Sequence, residues 1–173
     1  MRNGFSFRVF VWAALTTFFF IAVPARLQAD LILERRLTTD PADQVSPAIY
    51  EDRVVWQDFR HGNGDIYFYD LTTNQERRLT TDPGLQECPA IWGSRVVWRD
   101  KRSGRAELYL YDLTTNTERR LASNSELFGC PSIHGDRVVW VANTSSRDLY
   151  LYDLSTDTQQ RVPVPNANDR KSA

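Results

Sequence analysis

The chain repeats itself. Arg53-Val54-Val55-Trp56 returns as Arg95-Val96-Val97-Trp98 and again as Arg137-Val138-Val139-Trp140, with a step of 42 residues each time. Pro47, Pro89 and Pro131 keep the same step. The Tyr-Asp-Leu triplets that begin at Tyr69, Tyr111 and Tyr152 keep it to within one residue. A fixed period of this size means that one supersecondary unit is stacked on copies of itself, because such a unit cannot bury its apolar surface alone.

Each period carries four short β signals. In the second they are Pro89–Trp92, Arg95–Asp100, Glu107–Leu113 and Glu118–Leu121. Gly93-Ser94 makes a two-residue turn, matched by Glu51-Asp52 and Gly135-Asp136, residue types that suit tight hairpins. Asn116 in the next turn aligns with Asn74 and Asp157, and Asn and Asp are the side chains that best tolerate left-handed backbone angles. The third strand is the most informative: Ile66-Tyr67-Phe68-Tyr69, Leu108-Tyr109-Leu110-Tyr111 and Leu149-Tyr150-Leu151-Tyr152. Neighbouring residues on a strand face opposite sides, so both faces of this sheet must be covered. After residue 30 no segment has the 3.6-residue period of a helix, so the cover is another sheet of the same kind.

Four-stranded sheets stacked face to face around an axis are propeller blades. The expected fold is all-β: three four-stranded antiparallel blades at about 41–79, 83–121 and 125–162. Glu34 to Pro41 copies Glu76 to Pro83, which predicts an extra N-terminal outer strand over Leu33–Thr38 and hence a partial β-propeller. The third copy departs from the others: Ala142 and Thr144 stand where Asp58 and Arg60, or Asp100 and Arg102, stand before them. Terminal repeats often diverge because they face solvent or a different neighbour.

Residues 1–29 have a different character. Arg2 and Arg8 give a positive start, Val9 to Val23 is then apolar apart from Thr16 and Thr17, and Leu27-Gln28-Ala29 offers a small residue at a cleavage point, the layout of a secretory signal peptide. An uncleaved N-terminal anchor is the alternative, although the run is shorter than the roughly 20 residues a spanning helix needs. The repeat domain then occupies 30–162 and a polar tail 163–173. Three arginines and no acidic residue lie in the first 29 residues, so the remainder carries 18 basic against 22 acidic side chains, a net charge of −4. That balance gives no reason to expect nucleic acid or anionic lipid as a partner.

The blade pattern Pro-Ala-Ile, Arg-Val-Val-Trp-x-Asp-x-Arg, Asp-Ile-Tyr-x-Tyr-Asp-Leu and Arg-Arg-Leu-Thr resembles the TolB-type propeller repeat over about residues 33–162. That resemblance implies a periplasmic or cell-surface protein. It fits protein-binding platforms, surface-layer modules and the propeller parts of some peptidases and sugar-acid lyases alike, and fold likeness does not choose among them. Propellers need at least four blades, and three cannot close a ring. Association of two chains into a six-bladed ring is the expected remedy, with the Leu33–Thr38 strand helping to join them. A truncated reading frame is the alternative.

No catalytic, cofactor or metal constellation stands out. His61 and His134 occupy different repeat positions, and neither has a Cys or carboxylate at ligand spacing. Gly-x-Ser-x-Gly and Gly-rich phosphate loops are lacking. Asp58 with Arg60 and Asp100 with Arg102 read as structural braces because they recur, and the aromatic residues read as packing for the same reason. Asn143-Thr144-Ser145 fits a glycosylation acceptor. Cys88 and Cys130 share one repeat position, taken by Ser46 in the first copy. Matching positions in stacked sheets lie about 10 Å apart, which argues against a disulfide, whereas convergence of the blades toward an axis argues for one. The expected function is that of a non-catalytic module, periplasmic, extracellular or on the cell surface, binding a protein or glycan. The alternatives are a structural envelope module and the propeller fragment of a peptidase or sugar-acid lyase. The connections Thr38–Val45, Thr80–Glu87 and Ala122–Gly129 differ most between copies, so Asp43, Leu85, Glu87, Leu127 and Phe128 are the candidate contact residues.

Overall fold

A computed structural model describes residues 34–122, 127–142 and 147–162. The signal-like segment, the glycosylation acceptor and the polar tail lie outside the described residues. Two compact units divide the chain, Met1–Arg36 and Leu37–Ala173. The second unit contains three separate four-stranded antiparallel sheets, with no helix among the described residues.

Blade 1 is β1 (Gln44–Tyr50), β2 (Arg53–Asp58), β3 (Asp65–Asp70) and β4 (Gln75–Arg78). Blade 2 is β5 (Gln86–Trp92), β6 (Arg95–Asp100), β7 (Glu107–Asp112) and β8 (Thr117–Ala122). Blade 3 is β9 (Leu127–His134), β10 (Arg137–Ala142), β11 (Leu149–Asp153) and β12 (Thr158–Arg161). Every sheet is a simple up-and-down meander in sequence order. The turn residues Asn74, Asn116 and Asp157 all adopt left-handed angles, with φ of 57°, 54° and 56°. The first hairpin turns do so at Glu51, Gly93 and Gly135, and Glu51 at φ 49° has a side chain where the other two copies have none.

The first strands are longer than their apolar pattern suggests. Pro89 lacks an N–H to give the ladder, so it sits in a bulge between Glu87 and Ala90. Pairing then resumes on the far side as Glu87 with Arg99 and Gln86 with Asp100. The same bulge falls between Val45 and Ala48 in β1 and at the matching place in β9. Glu87, Leu127 and Phe128 consequently lie on strands, not in free loops.

One N-terminal expectation is corrected. The described residues 34–43 form no strand. A strand needs an edge to pair with; β4, β8 and β12 each have the third strand of their own blade, and no such partner precedes blade 1 among the described residues. Leu37 nevertheless packs on Val54, Trp56, Tyr67 and Tyr69 of blade 1. Leu79 joins the cluster with Val96 and Trp98 of blade 2, and Leu121 the cluster with Val138 and Trp140 of blade 3.

The core lies between blades. Val55, Ile66 and Phe68 of blade 1 pack with Ile91, Val96 and Trp98 of blade 2. Val97, Leu108 and Leu110 of blade 2 pack with Ile133, Val138 and Trp140 of blade 3. Adjacent residues in one strand thus serve opposite neighbours, as the two-sided apolar third strand requires. Contacts between blades concentrate on β1, β5 and β9, which form the inner edge of the stack.

Candidate interaction surface

Where β2 and β6 end, each of the first two blades holds its loops with one buried carboxylate. Asp58 Oδ2 accepts the Trp56 indole N–H at 2.9 Å and an Arg60 guanidinium N–H at 2.7 Å. Its Oδ1 accepts the Arg60 Nε–H at 2.9 Å and the Arg60 backbone N–H at 3.0 Å. Arg60 continues to Glu76 and lies 4.2 Å above the Tyr67 ring. Burial alone would push the Asp58 carboxyl up, but donation from Arg60 and Trp56 outweighs it and holds the group below the usual carboxylate range. Blade 2 repeats the arrangement with Trp98, Asp100, Arg102, Glu118 and Tyr109. Blade 3 does not: Ala142 replaces the aspartate, and the Trp140 indole N–H is buried with no acceptor among the described residues.

A second brace escapes a reading of single repeats. Arg78 pairs with Asp65 at 2.9 Å, Arg120 with Glu107 at 3.2 Å and Arg161 with Asp148 at 2.7 Å. In every case an acid at the head of the third strand meets an arginine of the fourth strand 13 residues later. That constant offset was the available signal. Adjacent blades are also tied, by Arg53 to the Gly93 carbonyl at 2.8 Å and by Arg95 to Asp136. An aromatic column crosses all three at one repeat position: Tyr50 to Trp92 at 4.7 Å and Trp92 to His134 at 3.9 Å between ring centres. His61 is exposed and stacks near Tyr67 at 6.3 Å. Among the described residues no group of three or more His, Cys, Asp or Glu side chains could hold a metal ion.

The five candidate contact residues meet different fates. Asp43 is exposed. Leu85 is half-buried against Gly64, where an added Cβ would come within 2.8 Å of the leucine. Glu87 is ion-paired with Arg99 at 2.8 Å and Lys101 at 2.7 Å. Leu127 is only 3% exposed and belongs to the core between blades 2 and 3, so it cannot contact a partner. Phe128, its neighbour on the strand, faces the other way: it is 45% exposed, with the Arg147 guanidinium 4.2 Å above its ring. Cys88 and Cys130 form a disulfide with Cα atoms 5.2 Å apart. The separation of about 10 Å holds for the middle of packed sheets, whereas these cysteines lie on the inner strands β5 and β9, where the blades draw together.

Solved structures place this geometry. A putative TolB from Agrobacterium tumefaciens aligns with a TM-score of 0.61 and 18% identity, over 73% of this chain and 51% of its own. TolB from Acinetobacter baumannii gives 0.57 and 22%, over 72% and 33%. The β-propeller domain of the Trilobed protease from Pyrococcus furiosus, whose topology is described as open velcro, gives 0.56 and 13%, over 73% and 45%. The chain therefore spans about half, or less, of the length of these proteins. No family model matches it, and neither does any curated protein. The fold is a partial β-propeller built from TolB-like blades.

Proposed function

From that fold we propose a non-catalytic interaction module of the cell envelope or the extracellular space, which binds a protein partner at the end of the blades that carries Asp43 and Phe128. Phe128 is the observation that supports this most. Among the described residues it is the one exposed large aromatic in a fold whose other aromatic rings are mostly packed between blades, and Arg147 holds it in place. Aromatic residues flanked by arginine are favoured anchors at protein interfaces. A location outside the cytoplasm is supported by the signal-like segment and by the disulfide, which persists in oxidising compartments. Two copies together would carry six of the variable connections that begin at Thr38, Thr80 and Ala122, three from each copy.

The immobilised chain, challenged with an envelope extract, tests the reading. Phe128→Ala and Asp43→Lys should each lower retention of the captured partner about tenfold, the scale of a modest interface contact. Equal capture by both variants and the parent refutes the assignment, and release by free sugar identifies a glycan partner instead. The likeness to a protease propeller domain favours a second reading, the propeller portion of a peptidase or lyase. A catalytic domain encoded in the adjoining reading frame would favour that one.

A further inference from the structure

The two ends of the stack are unfinished in complementary ways. Ile91 and Ile133 are 6% and 7% exposed because a preceding blade covers them, whereas Ile49, the same residue one repeat earlier, is 65% exposed. Pro89 and Pro131 are buried and Pro47 is exposed. An apolar pocket of about 160 Å³ opens here, lined by Val45, Pro47, Val54 and Trp56 among others. At the far end, Val139, Leu149 and Leu151 are half-exposed, while their counterparts in blades 1 and 2 are buried. The polar links are broken off at the same places. Arg53 and Arg95 each reach the hairpin of the next blade, and Arg137, exposed, meets no following hairpin among the described residues. Asp52, exposed at the first hairpin, is the counterpart of the Asp136 that receives Arg95. The aromatic column ends in Tyr50 on one side and His134 on the other.

We propose that a second copy of this chain completes the array, each copy seating its blade 3 on blade 1 of the other to give a six-bladed ring with two-fold symmetry. Each blade already accepts the next in this way, so the open faces match by repetition. The carboxylate of Asp52 receives Arg137, Ile49 is covered by Val139 and Leu151, and His134 continues the column onto Tyr50. Leu37 and Asp40 shape the contact. Asp40 lies 3.9 Å from Arg60, as Asp82 lies 3.9 Å from Arg102, so this segment already holds on blade 1 the place of a preceding blade's exit. The incoming blade therefore engages through β9 to β11, and β12, whose four residues are all exposed, is left outside. The six connections invoked in the proposed function follow from this ring, but the association does not depend on what they bind.

Molar mass of the chain in solution by light scattering tests the ring. The parent should have twice the chain mass, and Ile49→Lys and Arg137→Glu should each weaken association at least tenfold. Both positions are exposed, so the variants should fold like the parent by circular dichroism. Because each copy supplies both partners, the double variant D52R/R137E should recover the dimer. A parent that stays monomeric up to about 100 µM, weaker than any stable specific dimer, overturns the proposal, as does a dimer that both single variants leave intact. Failure of the double variant to recover it overturns the Arg137–Asp52 pairing. Partner capture through Phe128, assayed on the same variants, separates loss of the ring from loss of the binding surface.

Discussion

Replacing Asp100 with alanine isolates the brace. The substitution removes the acceptor of the Trp98 indole N–H and both acceptor oxygens used by Arg102. Trp98 is fully buried, so its orphaned N–H costs about 1–3 kcal/mol. Arg102 keeps Glu118 at 2.7 Å and is partly solvated, so its share is smaller, about 1 kcal/mol. The sum is about 2–4 kcal/mol, a large part of the roughly 5–15 kcal/mol that holds a domain of this size. Urea unfolding followed by circular dichroism measures it. Asp100→Asn keeps an acceptor for the indole and should cost about half as much. The decisive control is the cycle with Trp98→Phe: in that background Asp100→Ala should lose at least about 1 kcal/mol of its effect, the coupling of a direct contact. Equal costs with and without the indole would falsify the claim that the Trp98–Asp100 bond carries the brace.

Glu51 occupies a left-handed angle that glycine fills in both other copies, so Glu51→Gly should raise stability by about 0.5–1 kcal/mol, read as a higher urea midpoint with unchanged slope. Reducing the disulfide, or replacing both cysteines with serine, releases a loop with a sequence separation of 42 residues and should cost about 4 kcal/mol on the chain-entropy estimate. A loss below about 1 kcal/mol in the urea midpoint would contradict that estimate. Asp58, Asp70, Asp153 and Asp157 are all held below their usual range. Their stabilisation is present above the unfolded carboxylate range near pH 4 and is lost as the pH falls through the lower folded values. The urea midpoint should therefore be flat from about pH 5 to 7 and drop below about pH 4.

Much of the architecture is legible because it is local and repeated. The left-handed Asn74, Asn116 and Asp157 follow from their side chains, and the two-sided third strand follows from its composition. What the sequence hides depends on distance or context. Glu34–Thr38 copies Glu76–Thr80 residue for residue, yet residues 34–38 have no edge to pair with among the described residues and stay irregular. The pairing of Cys88 with Cys130 depends on how far inward β5 and β9 converge, which no residue pattern states. Leu127 and Phe128 look equally available in a variable connection. Strand alternation beyond the bulge sends one to the core and the other to solvent. The acid–arginine brace across the third and fourth strands was visible only as a constant offset.

In a stacked array, cooperativity is the ratio of interface coupling to the stability of each repeat, and it need not be uniform. The Cys88–Cys130 bond joins β5 to β9, whereas Ser46 leaves blade 1 held to blade 2 by packing and hydrogen bonds, without a covalent tie between their inner strands. Blades 2 and 3 thus form a covalently fastened pair, and blade 1 is the repeat expected to open first. Under native conditions, amide exchange in β1 to β3 should follow a lower-energy opening than in β6 and β10, and reduction should erase that hierarchy. The molecule is in this sense a rigid dyad carrying a releasable third member.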